Sequence, residues 1–134
     1  CDIARTWVAG TPSPEHKKIA RDLYATYEKF CAYIRPGMTF ANVFDYIRGQ
    51  MIEMGYPARK TAFPCQQFAI HEIGLGPFHD FPHPTHRETI FEPGMVISFQ
   101  PSVRLETFTI RFEDNLLITQ SGVELLSSYP RELI

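Results

Sequence analysis

From Ser13 onward the apolar residues of this chain change period once, near Arg59 and Lys60, and that change restricts the fold more than any other feature. Upstream they recur at steps of three and four. Ile19, Ala20, Leu23, Tyr27, Phe30, Cys31 and Ile34 form one run, and Val43, Ile47 and Met51 the next. That spacing lays an apolar stripe along each of two amphipathic helices. Ser13 reads as the N-cap of the first, with Pro14 at its first position, Glu15 favourable to the helix dipole, and Pro36-Gly37 as its stop. The second starts near Thr39 and ends at Gly55, with Pro57 just beyond. Both stripes read as core faces.

Downstream the period is two. Phe63 to His71 reads as a strand, and a proline-rich stretch runs from there to Pro93-Gly94. Met95 to Gln100 then puts Met95, Ile97 and Phe99 on one face and Val96, Ser98 and Gln100 on the other. Thr107 to Thr119 is the longest strand pattern. It sets Phe108, Ile110, Phe112, Leu116 and Ile118 against Arg111, Glu113 and Asn115. A last short segment, Val123 to Ser127, follows Gly122. At the other end Asp2 to Val8 also alternates and reads as a strand already under way, so residues before Cys1 are expected in the parent protein. A strand, two helices and then antiparallel strands predict an α+β domain.

Chemistry concentrates in Ile70 to Asp80, where His71 and His79 flank a loop containing Gly74 and Gly76. Imidazole serves a divalent metal or acid–base work near neutral pH, and glycine permits close backbone approach to a ligand. Oxygen donors in strand-like settings are available at Asp2, Gln100 and Glu113. His83 and His86 lie near enough in sequence to stand in for His79. The net charge of −2 and the absence of a basic run argue against nucleic acid. No apolar run approaches the roughly 18 residues of a membrane span, so no membrane partner is expected. Cys1, Cys31 and Cys65 show no paired spacing, which predicts free thiols in a reducing, cytoplasmic setting.

Several pieces, in order, resemble the pita-bread metallopeptidase family, which includes methionine aminopeptidases, Xaa-Pro aminopeptidases, prolidases and creatinase. Asp2-Ile3-Ala4-Arg5-Thr6 is similar to its D-x-x-R-T strand, and Pro36-Gly37-Met38-Thr39 to the link between its helices. His71-Glu72-Ile73-Gly74-Leu75 resembles H-x-I-G-L, and His79-Asp80 the second histidine with its acidic follower. Pro93-Gly94-Met95-Val96 and Arg111-Phe112-Glu113-Asp114 complete the match.

The resemblance implies a pita-bread fold, a curved antiparallel sheet with flanking helices. Residues 1–134 would be the C-terminal portion of one catalytic domain whose first-half opening hairpin is missing. It implies a hydrolase of small C–N bonds, of the Xaa-Pro aminopeptidase or dipeptidase kind, acting on a small peptide or amide as a homodimer of the complete protein. Asp2, His71, Gln100 and Glu113 would be the metal ligands, for Mn, Zn, Co or Fe. His79 would hydrogen-bond the substrate or its oxyanion, and Arg111 would orient Glu113. The family's E-P-G stands here as Gln100-Pro101-Ser102, and His79 falls eight residues after His71, one more than expected. An amide in place of a carboxylate supplies a dipole and not a charge, so the site is expected to hold one ion or none tightly. A creatinase-like hydrolase without metal, or a retired domain that only binds, are the alternatives this departure opens.

Overall fold

In a computed structural model, the described residues are 2–56, 70–73 and 87–131. Helix α1 spans Pro14–Tyr33 and α2 spans Phe40–Glu53. They are followed by strands β1 (Ile70–Glu72), β2 (Val96–Phe99), β3 (Ser102–Arg104), β4 (Thr109–Arg111), β5 (Asp114–Ile118) and β6 (Val123–Leu125). Strands β1, β2, β5 and β6 pair antiparallel in that spatial order, and β3 pairs with β4 in a second, two-stranded sheet. The fold class is α+β, as the change of period predicts.

Both helices begin where their capping residues place them. The Ser13 hydroxyl accepts from His16 N at 3.2 Å, and Ser13 N donates back to His16 Nδ1 at 3.2 Å. The closing partner is a histidine in place of the usual Glu or Gln. Thr39 and Asn42 repeat the device at α2. Gly37 and Gly55 follow the helix ends at φ +87° and +88°, a left-handed turn that costs any other residue Cβ strain.

The expected stripes are the core. Ile19, Leu23, Tyr27, Phe30 and Ile34 of the first helical run are buried, with Val43, Ile47 and Met51 from α2. Phe30 stacks on Phe99 of β2 with ring centroids 3.9 Å apart, and Tyr27 stacks on the same ring at 5.7 Å. Register shows which sheet face the helices cover. Ile70, Phe99 and Asp114 are paired across β1, β2 and β5 on the helix side, and His71, Ser98 and Asn115 are paired on the other.

Two expectations of continuous strands are corrected. The pattern from Thr107 to Thr119 breaks at Phe112–Glu113, giving β4 and β5 in different sheets. The ladder of β3 with β4 ends at Ser102 opposite Arg111. Continuing it would require an N–H from Pro101, which has none. The chain turns a corner there, between Phe99 and Ser102 on one strand and between Arg111 and Asp114 on the other.

Asp2 to Val8 is likewise not a ladder strand, since its only backbone pairing among the described residues is Ala4 with Glu113. Side chains replace the neighbouring backbone bonds. The Thr6 hydroxyl donates to Arg111 O at 2.7 Å and accepts from Arg111 N at 3.0 Å. The Asn115 amide, turned to satisfy both partners, donates to Asp2 O at 2.9 Å and accepts from Asp2 N at 3.1 Å. The segment therefore runs antiparallel to residues 111–115 with few main-chain bonds.

Candidate metal centre

Three chain segments meet on the sheet face away from the helices. β1 brings His71, the corner before β5 brings Glu113, and the segment antiparallel to it brings Asp2. His71 Nε2 lies 3.3 Å from Glu113 Oε1 and 3.7 Å from Asp2 Oδ2. One ligand atom from each of Asp2, His71 and Glu113 falls within a 4.8 Å span. His71 and Glu113 are buried and Asp2 is partly exposed, so the cluster opens at its Asp2 side.

The surroundings of Glu113 hold it ionised. Burial alone would raise its carboxyl. Bonds from His71 and Ser98, helped by the charge of Arg111, outweigh that and hold it below its ordinary value. Ser98, fully buried next to His71 in the register, donates its hydroxyl to Glu113 Oε1 at 2.7 Å. Arg111, half exposed, approaches the other oxygen, Oε2, at 3.9 Å. The two carboxylate oxygens thus face different partners, His71 with Ser98 on one side and Arg111 on the other.

Of the other expected site residues, Gln100 follows β2, and its Oε1 accepts from Arg111 Nη1 at 3.1 Å. It joins the cluster through Arg111. His79 lies outside the described residues, as do His83 and His86. Alternation puts Ser98 and Asn115 on the polar strand faces, without a role in the site. Their register beside His71 gives them one: Ser98 holds a candidate ligand's side chain and Asn115 another's backbone.

The donor set fits a divalent ion. One imidazole nitrogen and two carboxylates suit Mn, Zn, Co or Fe, and a ring of hydrogen-bonding neighbours is what a metal-ligating carboxylate requires. Residues 1–120 match the family model described as metallopeptidase family M24. The chain belongs to metallopeptidase family M24. Divalent metal use is therefore the expectation that family membership brings to this chain, and Asp2, His71 and Glu113 are candidates to hold the ion.

Individual relatives agree with the M24 assignment. The chain is 31% identical to an uncharacterized peptidase, YqhT, of Bacillus subtilis, with 99% of this chain aligned. It is 30% identical to a Xaa-Pro dipeptidase of Pyrococcus horikoshii, also over 99%. Among solved structures, the prolidase from Pyrococcus horikoshii superposes with a TM-score of 0.83 at 30% identity, covering 98% of this chain. The Xaa-Pro dipeptidase from Bacillus anthracis superposes with 0.85 at 26%, covering all of it. The shared architecture is the pita-bread fold, of which this chain holds part. It spans 36% of the Bacillus subtilis relative and 37% of each of the other three.

Proposed function

We propose that this M24 chain carries the ligand-bearing sheet of a metal-assisted hydrolase that cleaves a C–N bond in a small peptide, in the manner of the Xaa-Pro peptidases among its relatives. The observation that supports the reading best is the meeting of Asp2, His71 and Glu113 within 4.8 Å at a half-open face. A divalent ion held there would supply Lewis acidity at the scissile carbonyl. The chain's own residues do the rest. Ser98 fixes one oxygen of Glu113, Arg111 faces the other, and Asn115 holds the backbone of Asp2. His79 is the donor proposed for the substrate or its oxyanion. No helix of the described residues is long and apolar enough to cross a membrane. A cytoplasmic homodimer of the complete protein belongs to the same proposal.

Gln100 sets the number of ions. Its amide brings no charge to offset a second dication, and its oxygen accepts from Arg111, itself a cation. The site is accordingly proposed to hold at most one divalent ion tightly. Metal analysis after loading with excess Mn²⁺ and removal of loose ions tests this, alongside hydrolysis of Xaa-Pro dipeptides. The wild type is expected to retain no more than one ion, with Gln100→Glu retaining more. Two tightly held ions in the wild type would overturn the stoichiometry, and His71→Ala retaining both metal and activity would overturn the site.

A further inference from the structure

Directly beneath the metal centre, on the helix side of the sheet, lies a buried charge that the proposed chemistry does not use. Asp114 is fully buried. It accepts from Arg5 Nη2 at 2.8 Å, from Ser127 Oγ at 2.5 Å and from Arg131 Nε at 2.5 Å. A carboxylate removed from water requires such partners, and one missing partner leaves an uncompensated charge.

Arg5 does more than neutralise Asp114. Its guanidinium also donates to Ala4 O at 2.7 Å, Glu113 O at 2.8 Å, Tyr129 O at 2.7 Å and Pro130 O at 2.7 Å. Ala4 and Glu113 are the residues that exchange both backbone bonds, at 3.2 and 2.9 Å. The planar fork therefore spans the one main-chain link, among the described residues, between the segment that carries Asp2 and the strand that carries Glu113. Alternation along both backbones turns Arg5 and Asp114 to one side of this link, and Asp2 and Glu113 to the other.

We infer that Arg5 and Asp114 are positioning residues of the metal centre, fixing the separation of Asp2 and Glu113 from the opposite face of the sheet. The inference rests on the reading of Asp2, His71 and Glu113 as metal ligands. Arg131 supplies the internal control. It shares Asp114 but reaches Tyr27 Oη, at 3.4 Å, in place of the Ala4 and Glu113 carbonyls. Loss of Arg131 disturbs the buried charge while leaving the link spanned by Arg5.

The test is a Co²⁺ titration of the intact, metal-free protein, followed by visible d–d absorption, which reports affinity and ligand geometry together. Arg5→Ala and Asp114→Asn are expected to weaken Co²⁺ binding at least about tenfold and to alter the spectrum. Arg5→Lys keeps the charge but cannot span the carbonyls, so it should weaken binding as well, and it carries the test if Arg5→Ala does not fold. Arg131→Gln should bind within about threefold of wild type with an unchanged spectrum, even where its metal-free melting temperature falls. Folded Arg5 variants with wild-type affinity and spectrum would overturn the inference, as would Arg131→Gln weakening binding as much as Arg5→Lys. His71→Ala separates the two levels of argument. If the wild type binds no Co²⁺, or His71→Ala binds it equally well, the metal reading has failed and takes this inference with it.

Discussion

Ser98 offers a metal no charged ligand, yet its hydroxyl sits 2.7 Å from a carboxylate oxygen of Glu113 at a position closed to solvent. Removing it takes away a hydrogen bond that holds that oxygen in place and frees the carboxylate to swing. Ser98→Ala is expected to lower divalent affinity by about 10–100-fold, the usual effect of losing a group that orients a ligand. The fold should survive, because the change removes one small polar atom and adds no volume. A titration with Mn²⁺ against wild type checks it, and unchanged affinity would mean that Ser98 does not orient Glu113. Residue by residue, the candidate ligands were legible because carboxylate and imidazole in recurring motifs carry their own chemistry. Ser98 and Asn115 were not, since a hydroxyl or an amide on a polar strand face suits solvent equally well. Asp114 left a trace that could have been read. It interrupts the apolar face between Phe112 and Leu116, where an unpaired charge would be too costly to bury.

Helix α1 meets the four-stranded sheet through Phe30. Its ring is fully buried and stacked 3.9 Å from Phe99, the strand neighbour of Ser98. Phe30→Ala should cost about 3–5 kcal/mol, combining lost transfer energy with the cavity beneath β2. Tyr24→Ala on the exposed side of the same helix should fall within about 0.5 kcal/mol of neutral. Urea unfolding of both variants decides this, and comparable losses in the two would show that α1 is not held by its apolar stripe. The helices were legible in the sequence because several signals coincide: stripe, N-cap residue, Pro14 and a glycine stop. The strands were legible in face but not in extent. Alternation runs unbroken through Phe112 and Glu113, and only the partner strand reveals that Pro101 cannot extend the ladder. Asp2 to Val8 failed differently. Its alternation is real, but Thr6 and Asn115 spend their side chains on backbone groups that a ladder would pair, and no pattern of apolar residues encodes that exchange.

At the scale of the whole molecule, ionisable groups that are buried or partly buried limit stability from both ends of the pH range. Burial pushes the Cys31 thiol from 9.0 up to about 11, only partly offset by its hydrogen bond with Tyr27, and burial also raises the Tyr27 hydroxyl. Between 9 and about 11 the unfolded chain has lost the Cys31 proton while the native chain keeps it. Stability present below that window is therefore lost as pH rises through it. Glu113 acts in the opposite sense. Its carboxyl lies below its ordinary 4.5, so as pH falls past that value the unfolded chain binds a proton that the native chain refuses. Its contribution is complete above the ordinary carboxylate range and disappears toward acid. Urea midpoints of the metal-free protein should accordingly form a plateau around neutrality that falls on both sides. Cys31→Ala should flatten the alkaline limb between 9 and 10, above which Tyr27 still contributes, and leave the acid limb alone. Glu113→Gln should flatten the acid limb below 4.5 and leave the alkaline one alone. The assignment is wrong if each variant merely lowers the whole curve in parallel. Parallel curves would mean that these groups ionise alike in the folded and unfolded chains, and that their burial is relieved by water.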